Sequence, residues 1–168
     1  MYGPLVESTP GNFFGMASMG GSLNGGAIFK VTSDGEFSIV RDFPQEQTSP
    51  RDLISDLTGD FYYGITQANS SNEGGSIFRV DAAGSSYKQL YKVPTGEIIS
   101  TIFYASTGHL WVSGYHNNEN FMFRINPDGS EREEIVAYST ALAQQLCPAI
   151  TLVETPEGEI FGATDGSW

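Results

Sequence analysis

The chain is expected to be all-β, a β-propeller segment with three four-stranded blades plus the first two strands of a fourth. Three observations predict it: a period of about 49 residues, four short strand-like stretches in each period, and a composition of turn formers and large apolar anchors. Its 168 residues include 20 Gly, 11 Phe, 8 Tyr and 2 Trp. Glycine supplies the backbone angles of tight turns, and aromatic residues fit a pleated, packed surface. A sandwich or barrel also holds many short strands, but neither predicts a period near 49.

The repeat is read in four copies. Leu5-Val6-Glu7 leads through Gly11-Asn12-Phe13-Phe14-Gly15 to Gly25-Gly26-Ala27-Ile28-Phe29-Lys30-Val31 and Asp34-Gly35. Leu53-Ile54-Ser55, Gly59-Asp60-Phe61-Tyr62-Tyr63-Gly64, Gly74-Gly75-Ser76-Ile77-Phe78-Arg79-Val80 and Ala83-Gly84 repeat it. The third copy carries Ile102-Phe103-Tyr104, Gly108-His109-Leu110-Trp111-Val112, Phe121-Met122-Phe123-Arg124-Ile125 and Asp128-Gly129. Leu152-Val153-Glu154 and Gly158-Glu159-Ile160-Phe161-Gly162 begin a fourth. The leading glycines Gly11, Gly59, Gly108 and Gly158 lie 48, 49 and 50 residues apart. The whole chain, 1–168, is thus one propeller arc with units at about 5–48, 53–98 and 101–148 and a partial unit at 151–168.

Within the first unit the pattern predicts strands over 5–8, 13–17, 27–32 and 37–42. Pro10-Gly11 turns the first into the second, and a Gly-rich loop leads to the third. Asp34-Gly35 then makes the tight turn, where left-handed geometry favours Asn, Asp and Gly. On the third strand Ile28 and Lys30 face one way, and Ala27, Phe29 and Val31 the other. The single helix-like stretch is 139–147, with Ser139 or Thr140 as cap, Leu142 and Leu146 four apart, and Pro148 as stop.

Composition excludes several classes. Eight basic residues against 20 acidic ones give a net charge of −12, which disfavours nucleic acid and anionic membrane surfaces. No apolar run approaches the roughly 20 residues of a spanning helix. With 17% charged and 39% apolar residues the chain does not read as disordered. The lone Cys147 excludes an internal disulfide and a Cys-rich zinc site. Met1-Tyr2-Gly3-Pro4 has no basic or apolar leader region, so the chain as given shows no signal peptide. Asn69-Ser70-Ser71 fits a glycosylation acceptor, a pattern that often arises by chance.

Candidate ligand-binding residues are Lys30, Arg79, Arg124, Trp111 and Tyr115. The three cations hold one place in the third strand, 49 and 45 residues apart, and could meet carboxylate or sulfate groups of an acidic glycan. Their structural alternative is an ion pair between blades or a side chain laid over a neighbouring aromatic. Repetition favours that alternative, because catalytic sites break a repeat's symmetry. Trp111, Tyr104 and Tyr115 are candidates for stacking on a sugar ring, whereas Phe14 and Phe161 are expected to be buried between sheets. An enzymatic alternative uses Tyr115 or His116 as acid or base and Arg124 to neutralise a uronate. His109 occupies a turn position held elsewhere by Asn12, Asp60 and Glu159, so it reads as structural. Oxygen-rich loops near 69–73, 117–120 and 128–131 lack the spacing of a dedicated calcium loop. No metal and no cofactor are expected.

The Gly-Gly-(Ala/Ser)-Ile-Phe-(Lys/Arg)-Val strand, set between an aromatic-Gly strand and a small-residue turn, resembles the GloVer-type tandem repeats of secreted bacterial and fungal proteins. Phe14-Gly15, residues 25–31 and Asp34-Gly35 carry the likeness best, while Glu119-Asn120 replaces the Gly-Gly pair in the third unit. Residues 108–112 also resemble the repeats of two-component-regulator propellers. The resemblance implies a propeller and an extracellular setting. The leading functional expectation is a non-catalytic recognition module for carbohydrate. A polysaccharide lyase or hydrolase acting on an acidic glycan is the alternative, and a structural protein-interaction scaffold the third reading. Closed propellers have about four to eight blades, so an arc this short is expected to form a homodimer that closes the ring or to belong to a longer propeller chain.

Overall fold

A computed structural model describes residues 5–44, 49–67, 74–116, 119–137 and 151–163. Blade 1 contains β1 (Val6–Thr9), β2 (Asn12–Ala17), β3 (Asn24–Thr32) and β4 (Phe37–Pro44), paired antiparallel in that order. Blade 2 repeats the order with β5 (Ser49–Ser55), β6 (Phe61–Gln67), β7 (Ser76–Asp81) and β8 (Tyr87–Lys92). Blade 3 has β9 (Glu97–Tyr104), β10 (Leu110–His116), β11 (Glu119–Ile125) and β12 (Glu133–Ala137), and β13 (Thr151–Glu154) with β14 (Ile160–Ala163) forms the two-stranded fourth. The expected propeller segment is therefore observed, with boundaries moved by a few residues. In blade 1, β1 lies one residue later than expected, β3 begins three residues earlier, and β4 extends to Pro44. The helix-like stretch 139–147 and the Asn69-Ser70-Ser71 triplet lie outside the described residues.

Blades stack face to face, so an interior strand is buried on both sides and its sequence loses strict alternation. β6 shows this best: Tyr62, Tyr63, Gly64, Ile65 and Thr66 are all buried. Odd and even positions serve different junctions. Tyr62 packs with Phe14, Met16 and Ile28 of blade 1, and Tyr63 packs with Ile99, Ile102 and Leu110 of blade 3. The Phe14 and Tyr62 rings stack at 4.3 Å across the first junction. Tyr63 meets Tyr104 at 5.4 Å across the second.

The outer strands carry a second layer of contacts. Phe43 of β4 reaches over Phe78 and Tyr87 at 5.5 and 6.2 Å, and the Arg41 guanidinium lies 3.8 Å from the Tyr87 ring centre. Tyr91 of β8 meets Phe123 at 5.7 Å, and Arg132 covers Phe123 at 4.4 Å. Each aromatic or guanidinium group buries area against a ring and adds an electrostatic attraction to its face or edge.

Tight turns set how closely one blade approaches the last. Gly84 in the β7–β8 turn has φ +72°, and a Cβ there would stand 2.3 Å from the Val40 carbonyl oxygen of blade 1. Gly129 in the β11–β12 turn repeats this against Leu90 of blade 2, with φ +91° and 2.5 Å. Gly35, the blade 1 counterpart, has φ +91° and open space around it. Left-handed geometry alone costs an L-residue about 1–2 kcal/mol. Gly35→Ala is therefore expected to lose only about that much stability in urea unfolding. Gly84→Ala should lose at least about 1 kcal/mol more, because its methyl group displaces a neighbouring blade. Equal losses would contradict the role assigned to the turn.

Candidate functional site

The two ends of the blades differ. At one end β1–β2, β3–β4 and their counterparts join through compact turns, such as Asp56 Oδ1 accepting from the backbone N–H groups of Thr58, Gly59 and Asp60. At the other end the second-to-third-strand connection varies from eight residues in blade 2 to two in blade 3. Rigid strands holding variable loops form the usual platform for recognition. This loop side is the candidate functional face.

The three repeated cations lie away from it. In each of the three full blades the third-strand cation sits directly across from a second-strand aromatic: Lys30 from Phe14, Arg79 from Tyr63 and Arg124 from Trp111. Those positions are near the turn side. Lys30 Nζ stands 5.9 Å from the Phe14 ring centre, and the Arg79 guanidinium 4.5 Å from that of Phe61. Arg124 donates through Nε to Glu133 Oε2 at 2.7 Å, with Nη2 at 2.6 Å. These partners belong to each cation's own blade: Lys30 and Arg79 lie over aromatic rings, as one branch of the structural alternative has it, and Arg124 makes its ion pair within blade 3 rather than between blades. Junctions instead use Arg41, Arg132 and Lys88, whose Nζ donates to the Asp128 carbonyl at 2.9 Å. The sequence signal for Arg41 was weak, because no copy repeats it.

Tyr115 and His116 do lie at the loop side, but as strand neighbours they point to opposite faces of blade 3. Tyr115 pairs with Asn120, and Arg124 is paired four residues further along the strand, opposite Trp111. At a rise of about 3.3 Å per residue that puts Arg124 near the other end of the sheet. The structure does not bring Tyr115, His116 and Arg124 together. Trp111 is half-buried, and its indole Nε1 has no hydrogen-bond partner among the described residues. Tyr104 is half-buried against Tyr63 rather than free to stack on a ligand. His109 sits in the β9–β10 turn beside the Thr107 hydroxyl. Phe14 is buried as expected, but Phe161 is 54% exposed. The expectation for Phe161 fails because, among the described residues, no following sheet covers β14.

A different group converges at the loop-side mouth of the junction between blades 2 and 3. His116 is paired directly with Glu97 across β10 and β9. The 93–96 turn closes on the imidazole: a Cβ on Gly96 would lie 3.1 Å from His116 Cε1. Gln67 reaches across from β6 and donates to the Ile99 carbonyl at 3.1 Å. Glu97 Oε2 is buried and has no hydrogen-bond partner among the described residues. A buried acceptor left unsatisfied is uncommon, and a ligand hydroxyl or amide would satisfy it. Sequence reasoning missed Glu97 and Gln67, since neither occupies a motif.

Deeper in the same junction lies Asp52, also missed. Its carboxylate accepts from the Leu53 N–H at 3.0 Å and from the Thr101 hydroxyl at 3.4 Å, tying β5 to β9. Burial pushes its pKa above the usual carboxylate value, against the hydrogen bonds from Ile102, Leu53 and Thr101 that favour the charged form. Blades 3 and 4 carry Thr101 and Thr151 at this position, so an acid among hydroxyls is the signal that would have found it.

No protein-family model and no curated protein sequence matches the chain. Solved structures do. An oligogalacturonate lyase in complex with manganese matches at TM-score 0.65 and 14% identity, over 99% of this chain and 47% of its own. A virginiamycin B lyase from Staphylococcus aureus matches at 0.63 and 19%, over 95% and 54%. A nidogen/laminin complex matches at 0.62 and 16%, over 88% and 56%. All are β-propeller folds, and this chain spans about half the length of each. At such identities the likeness establishes the fold.

The Asp52 pKa carries a pH signature. Because the folded value is raised, its stabilising contribution is full below the unfolded value near 3.8 and is lost as pH rises through the folded value. In urea titrations from pH 4 upward, wild type should lose stability relative to Asp52→Asn. A difference that is flat with pH would contradict the burial of this carboxyl group.

Proposed function

We propose that the chain is an arc of a non-catalytic extracellular recognition propeller that binds carbohydrate at the loop-side mouth between blades 2 and 3. The observation that carries this reading is Glu97 Oε2, buried at that mouth without a hydrogen-bond partner among the described residues. Sugars present dense arrays of hydroxyl donors, and a carboxylate oxygen is a strong acceptor for them. His116 and Gln67 flank the same opening with further polar atoms. The extracellular setting rests on the likeness to GloVer-type repeats. The fold itself leaves function open, because propellers host many.

The enzymatic reading keeps one specific observation in its favour. Glu97 and His116 are direct cross-strand partners, which sets a carboxyl group and an imidazole at neighbouring strand positions of the mouth. Two of the similar solved structures are lyases by name. For a lyase acting on an acidic glycan, Arg124 is a poor uronate partner, since Glu133 already holds its guanidinium.

Calorimetry against neutral and acidic oligosaccharides, preceded by a glycan array, tests the proposal. Binding is expected without turnover, and Glu97→Ala should weaken it by about tenfold or more, the scale of one lost hydrogen bond to a charged group. Release of unsaturated sugar products would establish the lyase instead. Folded protein that binds no glycan, or Glu97→Ala with unchanged affinity, would contradict carbohydrate recognition at this mouth and favour a scaffold.

A further inference from the structure

The last two strands of each full blade carry a cross-strand pair at one fixed place, and the three pairs differ in charge. In blade 1 the pair is Lys30 and Ser38, in blade 2 Arg79 and Lys88, and in blade 3 Arg124 and Glu133. Blade 3 neutralises itself, with Arg124 Nη2 2.6 Å from Glu133 Oε2. Blade 2 does the opposite and sets two of the chain's eight basic residues directly across from each other. Like charges so placed repel. In a chain of net charge −12 carboxylates are plentiful, yet neither Arg79 nor Lys88 makes an ion pair with any described residue.

Both side chains face blade 3. Arg79 stands across from Tyr63, which packs into that junction, and Lys88 Nζ donates to the Asp128 carbonyl of the β11–β12 turn at 2.9 Å. The Arg79 guanidinium lies 4.5 Å from the Phe61 ring centre. The ring occupies the flat face of the group and leaves the donors along its edge. None of those donors reaches a described acceptor, and Nε is buried without a partner. A buried donor in that state is uncommon. Two carboxylates come near, and each is engaged by its own turn. Asp56 acts on Tyr63, but its Oδ1 accepts from the N–H groups of Thr58, Gly59 and Asp60. Asp128 acts on Lys88, but its Oδ1 accepts from the Ser130 N–H.

We propose that Arg79 and Lys88 bind the oxyanion group of a small ligand, a carboxylate, sulfate or phosphate, at the turn side of the junction between blades 2 and 3. The guanidinium edge meets such a group through parallel N–H donors, and the ammonium adds a point charge beside it. The bound anion supplies the counter-charge that Glu133 supplies in blade 3. Arg79 lies toward the opposite end of the sheet from the Glu97 mouth, so this site stands apart from carbohydrate recognition there.

Proton–nitrogen NMR of the full chain tests this by following the Arg79 Nε–H and the backbone amides of residues 86–88. Sodium sulfate, sodium phosphate and sodium glucuronate are each titrated, with ionic strength held constant by sodium chloride. At least one is expected to shift these signals saturably, and the most effective of the three identifies the oxyanion. Lys88→Glu restores the arrangement of blade 3 and should weaken binding by about tenfold or more, with the fold retained. Lys92→Glu, an equal change of charge at the far end of β8, should bind as wild type does. Shifts that never saturate, or that sodium chloride alone reproduces, would overturn the proposal. So would Lys88→Glu binding like wild type, or Lys92→Glu weakening binding as much as Lys88→Glu.

Discussion

The contact between one blade and the next is the constraint on which the rest depends. A four-stranded antiparallel sheet of short strands cannot bury enough surface by itself, and here both of its faces are apolar. Tyr62 and Tyr63 are adjacent in sequence, yet they serve different junctions, one against Phe14 and the other against Tyr104. Hairpin turns at Gly84 and Gly129 bring each blade against the outer strand of its predecessor, and cations such as Arg41 cap the exposed rim of the contact. The recognition proposed for the loop side depends on those junctions being rigid, because the Glu97 and Gln67 mouth is itself the open end of one.

Much of this architecture was legible in the sequence. Gly11, Gly59, Gly108 and Gly158 all have positive φ, and their spacing gave the period because the same turn geometry is needed in every unit. The third-strand motif, Ile28-Phe29-Lys30 and its repeats, marked the centre of each sheet. Strand ends were less legible, since Asn24 begins β3 at positive φ through a loop that Asp42 organises by accepting from Ser22 N–H and Oγ. That contact joins residues 20 apart in the chain, so local pattern does not reveal it. Burial failed at Phe161 for a related reason: a repeat motif predicts what a residue would touch inside the stack, and not whether the next sheet is there.

The candidate site was the least legible part. Repetition drew attention to Lys30, Arg79 and Arg124, but what repeats in a propeller is the scaffold, and each proves to be held by its own blade. Chemistry that differs between units is the better guide. Glu97 and Asp52 break the pattern, yet a single carboxylate in a variable stretch gains meaning only when topology sets it across from His116 or Thr101. His116 was visible from sequence as an oddity of its unit. Its neighbours were not, because they come from the turn before β9 and from the end of β6.

The most direct test of the account is a double-mutant cycle on Arg41 and Tyr87. These two residues meet only because blade 2 stacks on blade 1. Urea unfolding of wild type, Arg41→Ala, Tyr87→Leu and the double variant should give a coupling of about 1 kcal/mol, as for a partly desolvated cation over a ring. Additive effects within about 0.3 kcal/mol would show that the two blades do not meet there, and would contradict the junction on which the account rests.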